Sequence, residues 1–240
     1  MIKIIKVNNY DEMSKKASEI IAAQLILKNN SILGLATGST PIGTYKYLIQ
    51  KYNNQEINFS NVKSINLDEY VGLDGNNDQS YRYFMNHNLF DHVNIDKNNT
   101  NVPNGLENDE TKECERYHEL IKNNPIDLQV LGIGNNGHIG FNEPCDTFSL
   151  KTHKVKLTES TIEANKRFFE SIDDVPKYAY TMGIGEIMSA KKILLLASGK
   201  AKAPIIKKLL ESEVTPNIPA SILKFHNDCI LIVDKEALGE

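Results

Sequence analysis

Seven short apolar runs recur along this chain, several of them apolar at nearly every position, with segments of helical period between them. They are Ile2 to Val7, Ile32 to Ala36, Val62 to Leu67, Asp127 to Gly132, Ala179 to Met182, Lys192 to Ala197 and Asp228 to Val233. A strand that is apolar on both faces must be covered on both, and parallel strands joined by crossover helices achieve this. The alternation therefore predicts an α/β fold around a mainly parallel sheet. Met13, Ala17, Ile20, Ile21, Gln24 and Leu25 mark one face of a helix, and Tyr81, Phe84, Asn88 and Leu89 one face of another. A polar helix beginning near Asn108 carries acids at its front and bases toward its end, as the helix dipole favours. At 240 residues and 40% hydrophobic the chain can bury a full core, and no repeat, linker or charge block divides it. Residues 1–240 read as a single domain.

Composition narrows the partners. A formal net charge of -4, with both signs spread along the chain, offers no basic stripe for nucleic acid. Cys114, Cys145 and Cys229 lack CxxC spacing and read as intracellular thiols. The start is too charged for a signal peptide, and no run approaches the roughly 20 apolar residues that span a bilayer. A cytoplasmic protein without membrane contact is expected.

In an open parallel sheet, ligands sit beyond the carboxyl ends of the strands. Four loops there carry unusual chemistry. In "LGLATGSTPIGTYKYLIQ", a strand runs into Thr37, Gly38, Ser39 and Thr40, and Pro41 stands where a helix begins. Glycine lets the backbone approach an anion, the hydroxyls donate to it and the helix N-terminus favours negative charge. The loop is either a phosphate cradle or an ordinary capped turn, and it is not a Walker A motif. In "SINLDEYVGL", Asp68 and Glu69 follow a strand directly, as a carbon-acid base or as a helix cap. In "LQVLGIGNNGHIGFNEP", His138 lies among glycines after a buried strand, with Glu143 five residues on to orient the imidazole or share its proton. In the fourth group, Arg167 within "ANKRFF" and Lys202 within "ASGKAKA" are surface charges alone but complete an anion site beside the first loop. Together the loops suit acid/base chemistry on a small phosphorylated metabolite.

The strings "GLATGSTPIGTYKYL", "NLDEYVGL", "SYRYFM", "GIGNNGHIGFNEP", "ANKRFF" and "TMGIGEIMSAKKILLLASGKAKA" resemble the glucosamine-6-phosphate deaminase family in its own order over essentially the whole chain. The resemblance implies a modified Rossmann-like three-layer α/β sandwich with a central, mainly parallel sheet. It implies conversion of glucosamine 6-phosphate and water to fructose 6-phosphate and ammonia, without a cofactor. His138, assisted by Glu143, would open the sugar ring, and Asp68 would move a proton from C2 to C1. Gly38, Ser39, Thr40, Arg167 and Lys202 would hold the phosphate.

Where many members have an aspartate two residues before the histidine, this chain has Asn136. An asparagine can hold an imidazole by a hydrogen bond but cannot stabilise imidazolium by charge, so either His138 is expected to be less basic or Glu143 must carry more of that task. Longer members are hexamers activated by N-acetylglucosamine 6-phosphate. This chain ends soon after its last apolar run, with His153 and Val155 where their basic residues would stand. It is expected to be non-allosteric, a monomer or small homo-oligomer, with residues 151–174 as a candidate lid. Two rival readings remain. A 6-phosphogluconolactonase needs no base at C2, and a non-catalytic sugar-phosphate sensor would normally carry a DNA-binding segment as well.

Overall fold

All seven apolar runs are strands in the computed structural model, which describes residues 2–240 apart from 160, 161, 164, 165, 167, 168 and 170. Six of them are β1 (Lys3–Val7), β2 (Ile32–Leu35), β3 (Lys63–Asn66), β6 (Leu128–Leu131), β9 (Ile193–Ala197) and β10 (Cys229–Asp234). With the short β5 (Thr100–Asn101) they form one parallel sheet in the order β1-β10-β9-β6-β2-β3-β5. Every residue of β6, β9 and β10 is buried, which is why these stretches read as unbroken apolar runs. At the edge, β1 leaves Lys3 and Lys6 exposed, charges that discourage pairing with another chain.

Helices flank the sheet. α1 (Tyr10–Leu27) opens on Asn9, whose side chain accepts the Glu12 N–H, and buries Met13, Ala17, Ile21 and Leu25. α2 (Ile42–Asn53) lies close against it, because a Cβ on Gly43 would come within 2.3 Å of Ser14 Oγ. α3 (Tyr81–Asn88) and α4 (Glu110–Asn123) are capped by the side chains of Ser80 and Asp109. α5 (Ile184–Met188), α6 (Ala203–Glu211) and α7 (Lys235–Leu238) complete the set used below. Among the described residues, no helix is long and apolar enough to cross a membrane.

The chain winds outward from β2 through β3 to β5 on one side, and from β6 through β9 to β10 on the other. The direction reverses between the neighbours β2 and β6. Their loops part there, leaving a crevice at the carboxyl ends of the strands.

The seventh run does not join this sheet. It forms β8 (Tyr178–Thr181), between β4 (Asp68–Tyr70) and β7 (His153–Lys156), in a separate three-stranded antiparallel sheet. β4 corrects one expectation, because "LDEYVGL" is not simply a loop, and β7 places residues 153–156 of the candidate lid segment in a strand. Strands of three or four residues with the sequences DEY and HKVK show no apolar alternation from which they could be read. The transition between sheets is abrupt. The Leu67 N–H still donates to the Leu35 carbonyl at 3.1 Å, whereas Asp68 already pairs with Thr181.

Candidate functional site

The loop after β2 is a tight turn held to the first helix. Gly38 has φ +85°, a left-handed conformation that suits glycine, and it turns the chain so that Thr37 to Thr40 edge the crevice. The Tyr10 hydroxyl of α1 donates to the Ser39 carbonyl at 3.0 Å and accepts the Gly43 N–H at 2.9 Å, which locks the turn to the first helix. Pro41 occupies the N-cap position of α2, and no side chain caps that helix. The hydroxyls of Ser39 and Thr40 are therefore not consumed in capping, the use that the alternative reading gave them.

The two acids of β4 separate by strand alternation. Asp68, 6% exposed, faces the crevice: a Cβ placed on Gly140 would meet its Oδ2 at 3.6 Å. Burial, and secondarily the neighbouring charge of Glu69, push its carboxyl up to about 8. Glu69 turns away and accepts the backbone N–H groups of Tyr70, Tyr81 and Arg82 at 2.8, 2.9 and 2.9 Å. Burial raises it to about 7, opposed by those three donors. The helix-cap reading thus describes Glu69, and only Asp68 reaches the cavity.

His138 lies in the loop after β6 with its ring over Gly134, where an added Cβ would come 2.4 Å from Nε2 and from Cε1. Its Nδ1 is 3.2 Å from Glu143 Oε1, a close contact without the alignment of a full hydrogen bond. Glu143 is fixed in turn: Asn136 Nδ2 donates to its Oε2 at 2.5 Å, and Thr158 Oγ1 to its Oε1 at 3.4 Å. Asn136 Oδ1 accepts the His138 backbone N–H at 3.2 Å. The side chain of Asn136 thus bonds Glu143 and the His138 backbone, where the sequence allowed a bond to the imidazole. It orients the carboxylate that faces the imidazole, and it does so as a neutral donor beside an anion.

Lys202 is the N-cap residue of α6, and its ammonium crosses to the loop after β6, donating to the Ile133 carbonyl at 2.7 Å and Asn135 Oδ1 at 2.8 Å. Gly38, Ser39, Thr40, Asp68, Asn136, His138 and Lys202 all line one cavity of about 460 Å³, within the size range of small-molecule sites. Glu143 stands behind His138. Arg167, the remaining residue singled out from sequence, lies outside the described residues. Sequence reasoning did not single out Tyr81, taken only as a helix face, or Phe141. Both rings line the cavity and lie nearly parallel, 11° apart with centroids at 6.1 Å. Their signal was present in "SYRYFM" and "GHIGFNEP", but an aromatic on a helix or after a turn usually means core. Among the described residues, no group of three or more His, Cys, Asp or Glu side chains is arranged to hold a metal ion.

The sequence model of the family described as glucosamine-6-phosphate isomerases/6-phosphogluconolactonase matches residues 8–231. A glucosamine-6-phosphate deaminase of Lachnoclostridium phytofermentans is 60% identical over 232 residues, 96% of this chain and 98% of that protein. The solved structure of a monomeric glucosamine-6-phosphate deaminase superposes with a TM-score of 0.97 at 45% identity, covering 99% of each chain. A 6-phosphogluconolactonase from Thermotoga maritima reaches a TM-score of 0.76 at 21% identity, covering 98% of this chain and 100% of its own. That is a distant relation, which speaks for the shared fold alone.

Proposed function

Because the chain belongs to the glucosamine-6-phosphate isomerase/6-phosphogluconolactonase family, we infer that its activity is the deamination of glucosamine 6-phosphate. The enzyme couples an aldose-to-ketose shift to loss of the amine, giving fructose 6-phosphate and ammonia in amino-sugar breakdown. The observation that carries the residue roles is the convergence of a buried, weakly acidic Asp68, a His138–Glu143 pair and a cradle with a lysine on one cavity.

Each residue has a step that its surroundings support. His138 moves a proton from the C1 hydroxyl to the ring oxygen, opening the sugar, while Glu143 faces its Nδ1 at 3.2 Å and Asn136 holds Glu143 in place. Asp68 takes the proton from C2, and burial makes its anion a stronger base than an exposed aspartate. The proton returns at C1, the enolamine becomes a C2 imine, and water adds to that imine to release ammonia. Gly38, Ser39, Thr40 and Lys202 hold the phosphate at the far end of the cavity. Binding energy from that remote dianion fixes C1 and C2 near Asp68 and His138. Arg167 joins the phosphate ligands on the strength of its sequence motif. The proposal extends to one domain spanning residues 1–240, a monomer or small homo-oligomer in the cytoplasm, without cofactor, nucleic acid or membrane partner.

Ammonia release by the purified protein and by Asp68→Asn tests the reading, with glucosamine and 6-phosphogluconolactone as control substrates. The expected result is ammonia from the phosphorylated amino sugar alone, lost in the variant by roughly a hundredfold or more. Rapid lactone hydrolysis without ammonia would overturn it.

A further inference from the structure

Several buried carboxylates take no part in the steps above, and one of them adjoins the proposed base. Glu69 is 2% exposed and stands one residue from the proposed base, yet it faces α3. Its Oε1 accepts the Tyr70 and Tyr81 N–H groups, and its Oε2 accepts that of Arg82. Tyr81 and Arg82 are the first two residues of α3, and the Ser80 hydroxyl already accepts the Tyr83 N–H at 3.0 Å. A local cap was thus in place without Glu69. Burying a carboxylate is costly even when it is hydrogen-bonded, so a fully buried acid is more than this cap requires.

What the carboxylate joins is informative. Tyr81, whose backbone it grips, is also a wall of the cavity, with its ring 4.7 Å from that of Tyr70 on β4. The β4 backbone that carries Glu69 carries Asp68 as well. One side chain therefore ties the base and the aromatic wall to each other across two elements.

We propose that Glu69 is a positioning residue for the carbon-acid step: its clamp on α3 holds Asp68 and Tyr81 in fixed relation, and its negative charge strengthens Asp68 as a base. The proposal rests on the deaminase reading. The charge acts in the sense already noted, since Glu69 adds to burial in raising the Asp68 carboxyl. The other ionisable groups facing the pair are Tyr70 on the same strand, Tyr81 and Arg82 of α3, Tyr117 of α4 and His138 across the cavity. Burial keeps all three tyrosines neutral, and the Arg82 guanidinium is engaged by Thr100 Oγ1 at 2.7 Å and the Thr100 carbonyl at 3.0 Å.

The test compares kcat, KM and the pH dependence of kcat for wild type, Glu69→Gln and Glu69→Asp, with thermal melting as a check on folding. Gln removes the charge and half of the acceptors; Asp keeps the charge but is too short to span the clamp. Glu69→Gln is expected to lose roughly ten- to hundredfold in kcat with KM within about twofold, and its acid limb should move to lower pH. Glu69→Asp should lose kcat with the limb where wild type has it. An unmoved limb in a folded Glu69→Gln, or wild-type kcat in Glu69→Asp, overturns the proposal. If Gln does not fold, the Asp variant decides alone. Absence of ammonia release by the wild type would instead refute the function on which the proposal rests.

Discussion

Gly134→Ala is a local perturbation whose size follows directly from the geometry. The backbone of Gly134 lies outside the left-handed region, so alanine fits its conformation without strain. The added Cβ would stand 2.4 Å from Nε2 and Cε1 of His138 and 2.5 Å from Cδ2. Carbon contacts become favourable only at about 3.5 Å, so the ring must retreat by about 1 Å. Glu143 cannot follow, because Asn136 holds one of its oxygens at 2.5 Å. A misplacement of that size in a catalytic group costs on the order of a hundredfold, or about 2.7 kcal/mol of barrier. The proposed phosphate cradle is untouched, so the loss is expected in kcat with KM little changed. Gly132→Ala is the internal control: its Cβ would meet only Thr40 atoms at 3.9 and 4.0 Å, ordinary contact distances. Steady-state ammonia release from both variants, with melting curves, makes the comparison. A folded Gly134→Ala that keeps kcat within about threefold of wild type would refute the role of ring placement.

Three further outcomes are expected. As the proposed base, Asp68 would act as its anion; with its carboxyl raised to about 8, roughly a tenth is ionised at pH 7, so kcat/KM should rise about fivefold from pH 7 to 8, and a profile flat from pH 6 to 9 contradicts this. The same raised value means that the fold favours the protonated form, a stabilising contribution fully present below 3.8 and lost as pH rises through about 8. Asp68→Asn should therefore melt above wild type at pH 8 by a margin that shrinks toward pH 4, and equal margins at both pH values would show that the acid carries no such cost. Lys202→Met removes the cation at the cavity together with its bonds to Ile133 and Asn135, so KM for the phosphorylated sugar should rise about tenfold or more, and inhibition by inorganic phosphate should weaken in parallel. Unchanged KM and unchanged inhibition would remove Lys202 from the phosphate site.

Local pattern alone carried a good deal of this molecule. Fully apolar runs such as "ILLLA" specify strands covered on both faces, because burial on both sides leaves no polar alternation. The turn at Gly38 and Pro41 and the glycines around His138 announce loops that approach a ligand, since these residue types govern backbone freedom within a few positions. The parting of Asp68 from Glu69 was not readable, because adjacent acids look alike until a strand turns them to opposite faces, and β4 is too short to show a period. Asn136 serving Glu143 rather than the imidazole depends on a turn that brings residue 143 back beside residue 136. Tyr81 becomes a cavity wall only where α3 packs on β4, with its ring 4.7 Å from that of Tyr70. Above all, strand order is set by long-range pairing and by the burial of both sheet faces, which no neighbouring residue encodes. The tertiary structure alone decided that loops beginning near residues 36, 132 and 198 open together at the crevice between β2 and β6, and so that Gly38, Ser39, Thr40, Asp68, His138 and Lys202 line one cavity.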